Sequence, residues 1–263
     1  MINQFSKKID ALRKSKIAFH SIDRIEFKSI YLQYPTNDDA GMSRAKDKIV
    51  FQEMSFNFPT DENILIEGSM GSGRSSLLKL LAGLVIPTRG SYFINDCDFA
   101  QMSFEEFLPY RLYIGYAFDY GGLLANRTLR DNLLIPLLYH NQMKSSEAEA
   151  RVKGMLDVFK ITGHENQRPA SVSGAMRKAT VVARSFILHP EMLILDDPFV
   201  GLDDEQGKNI VELIGVHRRQ YGLRHVFYTT RYERFVKMLG GRSIVLANSK
   251  ITGLEKEDVR RPA

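Results

Sequence analysis

The sequence predicts an α/β fold with a mostly parallel core sheet, an antiparallel β edge and an inserted helical subdomain. Three observations lead to this prediction. Short apolar runs without polar alternation recur along the chain, as expected of strands buried on both faces. Stretches typical of helices separate these runs, which is the order of a parallel sheet. Strand-like runs stop between about residues 120 and 171, where helix-forming residues dominate.

The predicted strands follow one another along the chain. An opening strand over residues 25–27 and 30–34 pairs with a second strand over 49–58. Four later runs are mainly apolar without polar alternation and are expected in the buried parallel sheet; they cover residues 64–67, 192–195, 226–229 and 243–247.

The composition excludes several classes of protein. With 263 residues, 44% of them hydrophobic and 25% charged, the chain suits one large domain or a domain with an embedded subdomain. No apolar run approaches the roughly 18 residues that span a bilayer, and residues 1–19 lack the apolar core of a secretory signal. The single cysteine, Cys97, excludes an internal disulfide and agrees with a reducing compartment. We therefore expect a cytoplasmic protein.

The net charge of +5 is modest, and a well-solvated surface accounts for it. The basic stripes typical of nucleic-acid binding are absent from the sequence, so we expect no nucleic-acid partner.

A glycine-rich segment over residues 68–76, here named the phosphate loop, carries the clearest chemical signal. It follows the apolar run 63–67 and precedes the helix-like run 77–81, and this strand–turn–helix context is what a P-loop requires. Glycines let consecutive backbone N–H groups point at one anion, and the helix N-terminus adds a favourable potential. The predicted phosphate-binding residues are Gly68, Ser69, Gly71, Ser72, Gly73, Ser75 and Ser76. The pattern requires lysine before Ser75, where this chain has Arg74.

Two acids follow the predicted strand over residues 192–195. Because ligands of parallel sheets collect at the carboxyl ends of the strands, Asp196 is expected to face the phosphate loop and to hold Mg²⁺ directly or through water. The next residue, Asp197, stands where a water-activating base is useful. The alternative is that both acids simply begin a turn before Pro198.

The order of these motifs resembles the ATPase subunits of ABC transporters. After the phosphate loop and the helical insertion come Val172-Ser173-Gly174-Ala175-Met176 and then the run from Leu195 to Asp203, so the resemblance covers about residues 25–253. Within the family, residues 120–124, 128–138 and 197–201, together with Met176, are most similar to the ATPase of Mla-type phospholipid transporters. Cell-division-type and lipoprotein-releasing ABC ATPases share many of the same sequence motifs and remain alternatives. The resemblance implies a P-loop NTPase fold of the ABC ATPase type that binds ATP and Mg²⁺.

The resemblance also assigns residues around the nucleotide. It implies that Tyr34 stacks on adenine, where the alternative is an ordinary aromatic residue at a strand end. It further implies that the Ser75 hydroxyl ligates Mg²⁺ and that Ser76 bonds a phosphate oxygen.

A second set of residues is implied to act across a dimer. In the family two subunits close head to tail, and the signature segment of one caps the nucleotide on the other. Ser173 and Gly174 match that segment, and a helix beginning near Ser173 would point its N-terminus at the partner's γ-phosphate. Asp203 matches an acid that makes contacts across the dimer.

Three polar positions depart from the family pattern. Asp119 replaces a glutamine that contacts Mg²⁺, and its carboxylate can still offer an oxygen ligand to the metal; without a metal nearby it is expected to repel the triphosphate. Asp197 replaces the catalytic glutamate and withdraws the carboxylate by roughly 1.5 Å, a misplacement of a size that can cost about a hundredfold in rate. Thr230 stands in place of the switch histidine, and His225 cannot replace it because it lies at the other end of the predicted strand.

Two further departures lie near the phosphates. Arg74 keeps a positive charge but replaces a compact ammonium with a longer planar fork. Ala175 adds a methyl group where a second glycine of the signature would let backbone approach phosphate. The chain is therefore expected to retain nucleotide binding better than hydrolysis.

The motifs divide the chain into four parts. We expect a nucleotide-binding α/β core over residues 25–119 and 187–254, interrupted by a helical insertion with the signature segment over 120–186. A basic N-terminal extension over residues 1–24 and a tail over 255–263 flank this core.

These observations predict an ATP-binding subunit of an ABC transporter that is attached to the inner membrane through an integral-membrane permease. A second ABC ATPase subunit, identical or different, would complete the dimer, and lipid would be handled only indirectly. Two alternatives stay open for the chemistry: a slow enzyme with Asp197 as a weakened base, or a non-catalytic regulatory or scaffold subunit paired with a competent ATPase. A P-loop protein without a permease is a third.

Overall fold

A six-stranded sheet forms the centre of the molecule, which is known from a computed structural model that describes residues 21–35, 48–139 and 144–256. Its strand order is β10 (Lys250–Lys256), β9 (Arg242–Ala247), β3 (Asn63–Gly68), β8 (His225–Tyr228), β7 (Met192–Leu195) and β6 (Ile114–Ala117). The strands from β9 to β6 are parallel, and β10 pairs antiparallel with β9 at one edge. The four apolar runs predicted for the parallel sheet are confirmed. The short strand β6 was not predicted.

A second, antiparallel sheet lies beside the first. Its order is β2 (Lys48–Phe58), β1 (Ile25–Tyr34), β4 (Arg89–Ile94) and β5 (Cys97–Asp98). The predicted pairing of the first two strands is confirmed, with register shifts along it. Close packing of β4 on β1 requires glycine at Gly90, because a Cβ there would lie 2.2 Å from the Ser29 carbonyl oxygen.

Helices surround the two sheets. They are α1 (Arg74–Leu81), α2 (Phe104–Leu112), α3 (Leu129–Tyr139), α4 (Ser145–Val158), α5 (Gly174–Phe186), α6 (Asp204–Gln220) and α7 (Glu233–Leu239). In the described part of residues 120–186 the regular elements are α3, α4, α5 and a short 3-10 turn over Pro169–Ser171, as expected of a helical insertion. None of the helices within the described ranges is both long enough and apolar enough to cross a membrane.

The six-stranded sheet is buried on both faces, which explains why its strands show no polar alternation. Leu65, Leu195 and Tyr228 face one hydrophobic cluster, which contains α3 to α7. Their neighbours Ile66 and Ile194 face a second cluster built from α1 and the antiparallel sheet. Alternate residues of one strand thus enter two cores.

The segment before β1 is attached to the core, although the sequence assigned residues 22–24 to an N-terminal extension. The Ile22 N–H donates to the buried Glu191 carboxylate at 2.9 Å, and Arg24 donates to the Asn95 carbonyl at 2.7 Å. At the other end, β10 extends to Lys256, two residues into the expected tail. Residues 1–20 and 257–263 lie outside the described residues, as does the connection over 36–47.

His225 fixes the same corner of the molecule as a neutral imidazole. Its Nε2–H donates to the Ile22 carbonyl at 2.6 Å, and its Nδ1 accepts from the Asp61 N–H at 3.3 Å. Burial lowers the pKa of His225 to about 4. The fold therefore favours the uncharged ring.

This burial predicts acid-sensitive stability. The folded-state pKa of His225 lies below its ordinary value of about 6.5, so its contribution is fully present above pH 6.5 and is lost as the pH falls toward 4. We expect His225 alone to lower the free energy of unfolding by on the order of 3 kcal/mol across that window. Urea unfolding at pH 7, 6 and 5 measures this slope, and His225→Gln should flatten it. Equal slopes in the two proteins would contradict the assignment.

Candidate functional site

The phosphate loop wraps around the carboxyl end of β3. The Ser72 N–H donates to the Ser69 carbonyl at 3.1 Å, which closes a tight turn between the strand and α1. A Cβ on Gly68 would lie 2.4 Å from Ser72 Oγ and 2.9 Å from the Leu246 carbonyl oxygen. Gly73 has a φ of +99°, and a Cβ on it would lie 2.8 Å from Val50 Cγ1. The loop can follow this path only with glycine at these two positions.

The start of α1 is suited to an anion. Gly73 provides no side-chain cap, and the first turn of α1 contains no acidic residue. The backbone N–H groups at the start of a helix have no partner within it, so they are free to bind phosphate oxygens. Ser72 Oγ is buried and has no hydrogen-bond partner among the described residues. An anion at the loop would satisfy these donors.

Tyr34 and Ser76 meet at the rim of the loop. Tyr34 ends β1, and its hydroxyl donates to Ser76 Oγ at 3.5 Å. The structure therefore places the predicted adenine-stacking residue beside the phosphate loop.

Asp196 and Asp197 lie at the carboxyl end of β7, with Thr229 between them. The buried Thr229 hydroxyl donates to Asp196 Oδ1 and accepts from the Asp197 N–H, both at 2.8 Å. Thr229 follows β8 and was not predicted as a site residue. Asp197 adopts a left-handed backbone with φ of +44°, and its Oδ1 is buried without a partner among the described residues. Such a strained residue with an unpaired oxygen is typical of a functional position.

Burial, two nearby acids and two arginines act on the pKa of Asp197. Burial raises the pKa of Asp197, and the nearby charges of Asp119 and Asp196 raise it further. The charges of Arg74 and Arg231 oppose this shift. Arg74 of the phosphate loop is thus close enough to act on Asp197. Arg231, beside Thr230, was missed in the sequence because no motif marks it.

Lys178 of α5 connects the acids to a neighbouring loop. Its buried ammonium donates to the carbonyls of Phe118, Asp119 and Asp196 at 3.1, 3.2 and 3.0 Å. It also lies 3.5 Å from Asp119 Oδ1. Asp119 therefore has a counter-charge in the ammonium of Lys178, which opposes the repulsion of a triphosphate that the sequence predicted. The signal in the sequence was a lysine among the apolar residues of α5, such as Ala179 and Val181.

The signature segment begins α5 as expected. Ser173 is the N-cap, and its Oγ accepts from the Met176 N–H at 3.2 Å. Gly174 and Ala175 form the first turn and line a cavity of about 580 Å³ between α5 and residues 119–125, here named the 119–125 loop. Lys178 and Arg231 line the same cavity, which is therefore basic on one side.

Two further predicted residues are engaged locally. The Asp203 carboxylate caps α6 by accepting from the Gln206 N–H at 2.7 Å. The Thr230 hydroxyl accepts from the Tyr232 N–H at 3.2 Å, just before α7. His225 begins β8, at the end opposite Thr230, as the sequence predicted. The structure thus brings together the phosphate loop and the acids, while Ser173 and Asp203 cap other helices.

Comparison with known proteins gives the family. The sequence profile of the family described as ABC transporter matches residues 51–200, which is more than half of the chain. The chain belongs to the ABC transporter family.

The relatives of this chain have names that refer to different transported substrates. The chain is 33% identical over 165 residues to the "Probable ribonucleotide transport ATP-binding protein mkl" of Mycobacterium leprae, covering 63% of this chain and 48% of that protein. It is 30% identical over 202 residues to the sulfate/thiosulfate import protein CysA of Mesorhizobium japonicum, covering 76% and 57%. It is 30% identical to the ABC transporter ATP-binding protein YtrE of Bacillus subtilis, covering 71% and 80%. The chain thus spans about half the length of the first two relatives.

Solved structures confirm the ABC ATPase fold. The ATP-binding cassette MJ0796, solved as a dimer in a post-hydrolysis state with ADP and phosphate, superposes with a TM-score of 0.78. The match has 21% identity and covers 89% of this chain and 99% of that one. ABC ATPases bind MgATP, and the free loop donors, the Ser72 hydroxyl and the paired acids of this chain fit that ligand.

The role of Lys178 in this member of the ABC transporter family can be measured. Replacing Lys178 with methionine leaves three carbonyl groups without their donor, so we expect a loss of about 2–4 kcal/mol in the free energy of unfolding. The matched control is Lys153→Met on the exposed face of α4, with an expected change within about 0.5 kcal/mol. Urea unfolding followed by circular dichroism compares them. Equal stability of the two variants would contradict the bridging role.

Proposed function

We propose that this ATP-binding subunit binds MgATP at its phosphate loop, closes on a second ABC ATPase subunit, and couples to an integral-membrane permease of a Mla-type lipid transport system, with slow or lost hydrolysis. The observation that carries the proposal is the meeting of the phosphate loop with Asp196 and Thr229 at one edge of the sheet. A phosphate cradle beside a fixed buried carboxylate is the arrangement with which P-loop proteins hold a nucleoside triphosphate and its Mg²⁺.

The residues of this chain divide the work of binding. The N–H groups of the phosphate loop and Arg74 hold the phosphates, and Tyr34 contacts the base beside Ser76. Ser75 and Asp196 supply oxygen ligands for the metal, and Thr229 fixes the orientation of the second. Bound Mg²⁺ supplies neutralisation of the phosphate charge. Asp119 adds an oxygen near the metal, held in place by Lys178.

The residues at the positions for ATP hydrolysis are less suited to their task than the residues that bind the nucleotide. Asp197 carries the unpaired Oδ1 and a raised pKa, both of which suit a base that takes a proton from water. Its side chain is one methylene shorter than glutamate, which withdraws that oxygen from a water molecule at the phosphate. The Thr230 hydroxyl is occupied by the Tyr232 N–H and so is a poor substitute for a switch histidine.

These features favour two versions of the proposal. In the first, a homodimer hydrolyses ATP slowly. In the second, the chain is a non-catalytic subunit that donates Ser173 and Gly174, at the start of α5, to a competent partner's site. The altered residues Arg74 and Asp197 support the second version, and ATP turnover of the purified chain separates the two.

The lipid assignment rests on the similarity of this sequence to Mla-type ATPases at Met176 and over residues 120–124, 128–138 and 197–201. The names of the relatives concern ribonucleotide and sulfate transport and therefore do not decide the substrate. Cell-division-type and lipoprotein-releasing systems are the alternatives. Purification of the complex from membranes, followed by transfer of labelled phospholipid between vesicles, tests the lipid class. We place the subunit at the cytoplasmic face of the inner membrane, held by its permease.

Nucleotide binding is the first test. We expect a fluorescent ATP analogue to bind the chain with Mg²⁺ present, and Gly68→Ala to weaken binding at least about tenfold, because the new Cβ enters the space of Ser72 Oγ. The control is Gly154→Ala on α4, where a Cβ meets no atom within 4 Å. The affinity for the ATP analogue should be higher with Mg²⁺ present than with EDTA, and Ser75→Ala should lower this difference. Absence of any binding by the unaltered chain would overturn the binding half of the proposal.

Hydrolysis is tested by restoring the family residues. We expect the triple variant Arg74→Lys, Asp197→Glu and Thr230→His to raise steady-state ATP turnover by about a hundredfold, because the carboxylate regains its reach. The matched control carries the first and third changes only and should gain much less. A robust rate in the unaltered protein would exclude the non-catalytic version.

A further inference from the structure

Arg231 follows the carboxyl end of β8 and is exposed. Among the residues that the structure describes, no Asp or Glu forms an ion pair with it. Arg234, three residues later, has such a partner in Asp204 and also lies over the ring of Phe235. The guanidinium group of Arg231 is therefore available for a ligand outside these residues.

The surroundings of Arg231 belong to the nucleotide site. It lines the cavity of about 580 Å³ between α5 and the 119–125 loop. Asp119, Gly174 and Gly201 line the same cavity. These three residues come from the loop after β6, the first turn of α5 and the turn after Asp197. Arg231 thus lies where the acids and the signature segment meet, and not on a remote surface.

The charge of Arg231 acts on the acid at the position of the catalytic base. Burial raises the pKa of Asp197, and the charges of Asp119 and Asp196 raise it further, whereas those of Arg74 and Arg231 oppose this rise. The two arginines come from different elements, since Arg74 begins α1 and Arg231 follows β8. Cations from two elements therefore approach the same end of the site, where the last phosphate of a triphosphate is expected.

The neighbouring residue Thr230 is poorly suited to bind that phosphate. The sequence places Thr230 at the position of the switch histidine, but its short, uncharged hydroxyl already accepts from the Tyr232 N–H at 3.2 Å. An arginine side chain is longer, and its planar fork of N–H donors matches two oxygens of one phosphate group. The residue next to the altered position has the charge, the donors and the reach that Thr230 lacks.

We propose that the guanidinium group of Arg231 binds the γ-phosphate of ATP in its own subunit, and that this contact makes the site prefer ATP to ADP. The inference rests on the proposed function, since it concerns the nucleotide held at the phosphate loop. ADP lacks the phosphate that extends beyond this loop, so its binding depends on the loop and not on Arg231. Arg231 is then a residue that determines specificity for the triphosphate.

A different role for Arg231 would give different results. If Arg231 only neutralised the acids without touching the nucleotide, its removal would weaken ATP and ADP alike, because both ligands are anions close to Asp196 and Asp197. Lysine would then replace it fully. A contact with the γ-phosphate instead predicts a loss that is confined to the triphosphate and that depends on the guanidinium fork.

The first experiment compares two nucleotides by calorimetry with Mg²⁺ present. The ligands are ADP and β,γ-imido-ATP, which is not hydrolysed. Since hydrogen bonds to a charged group are lost, we expect Arg231→Gln to lower the affinity for β,γ-imido-ATP at least about tenfold. The affinity for ADP should change by no more than about twofold, through the screened charge alone. Equal losses for the two nucleotides, or no loss for either, would overturn the inference.

Two variants serve as comparisons in the same assay. Arg234→Gln removes an arginine of the same segment that is already paired with Asp204, and it should change the affinity for neither nucleotide. Arg231→Lys keeps the charge without the fork and should recover only part of the affinity for β,γ-imido-ATP. Full recovery with lysine shows that charge alone matters and contradicts the contact.

The oligomeric state decides which subunit provides the contact. The calorimetry is repeated at chain concentrations at which sedimentation shows a monomer. We expect the preference for β,γ-imido-ATP over ADP to be present there and to be lowered by Arg231→Gln. An effect of Arg231→Gln that is found only in the dimer assigns the residue to the partner's nucleotide and refutes the inference.

Two further outcomes are kept apart. Because Arg231 is exposed and has no acidic partner among the described residues, Arg231→Gln should leave the melting temperature of the nucleotide-free chain unchanged, and a clear decrease shows a structural role instead. Binding of both nucleotides by the unaltered chain, with the same preference in Arg231→Gln, refutes this inference and retains the proposed function. Failure of the unaltered chain to bind either nucleotide refutes the proposed function itself.

Discussion

The buried ammonium of Lys178 is the interaction on which the arrangement of the site depends. It collects the carbonyls of Phe118, Asp119 and Asp196, which come from the ends of two neighbouring parallel strands, β6 and β7. The ammonium is buried, and this one cation donates to all three carbonyls. The lysine comes from α5, which begins with the signature segment. Three parts of the site, namely the 119–125 loop, the backbone at Asp196 and the helix α5, are thereby held together by one side chain.

The departures from the family pattern compensate one another in charge. Asp119 brings a negative charge where the family has an uncharged glutamine, and Lys178 brings a positive one within 3.5 Å of it. The positive charges of Arg74 and Arg231 favour the ionised carboxylate of Asp197 and so oppose the rise in its pKa. This balance of charges favours binding of a highly charged ligand. We expect the short side chain of Asp197 to limit hydrolysis of that ligand.

The sequence predicted the parts of the fold that depend on local pattern. The runs over 192–195 and 226–229 are recognisable because both faces of the central sheet are buried, so every residue is apolar. The strand β6 escaped prediction because Gly115 interrupts its four-residue run, and that glycine is required by the Ser185 carbonyl, 2.0 Å from where a Cβ would lie. The sequence also predicted Asp196 and the phosphate loop, which belong to spaced motifs. It did not predict Lys178, because its role depends on carbonyl groups about 60 residues away and not on its neighbours in the chain.

The helix α5 is bonded to both ends of the stretch over residues 119–122. Lys178 and Arg184 lie six positions apart on it, roughly 9 Å along the axis. The first holds Asp119 and the second holds Gly122, so both ends of a four-residue stretch are bonded to one rigid element. A rotation of α5 therefore carries this stretch with it, together with the N-terminal turn that bears Ser173. Since the backbone carbonyl of Asp196 accepts from the same lysine, such a rotation also acts on the end of β7. One helix with its buried cations thus connects the 119–125 loop, the start of α5 and the acids after β7.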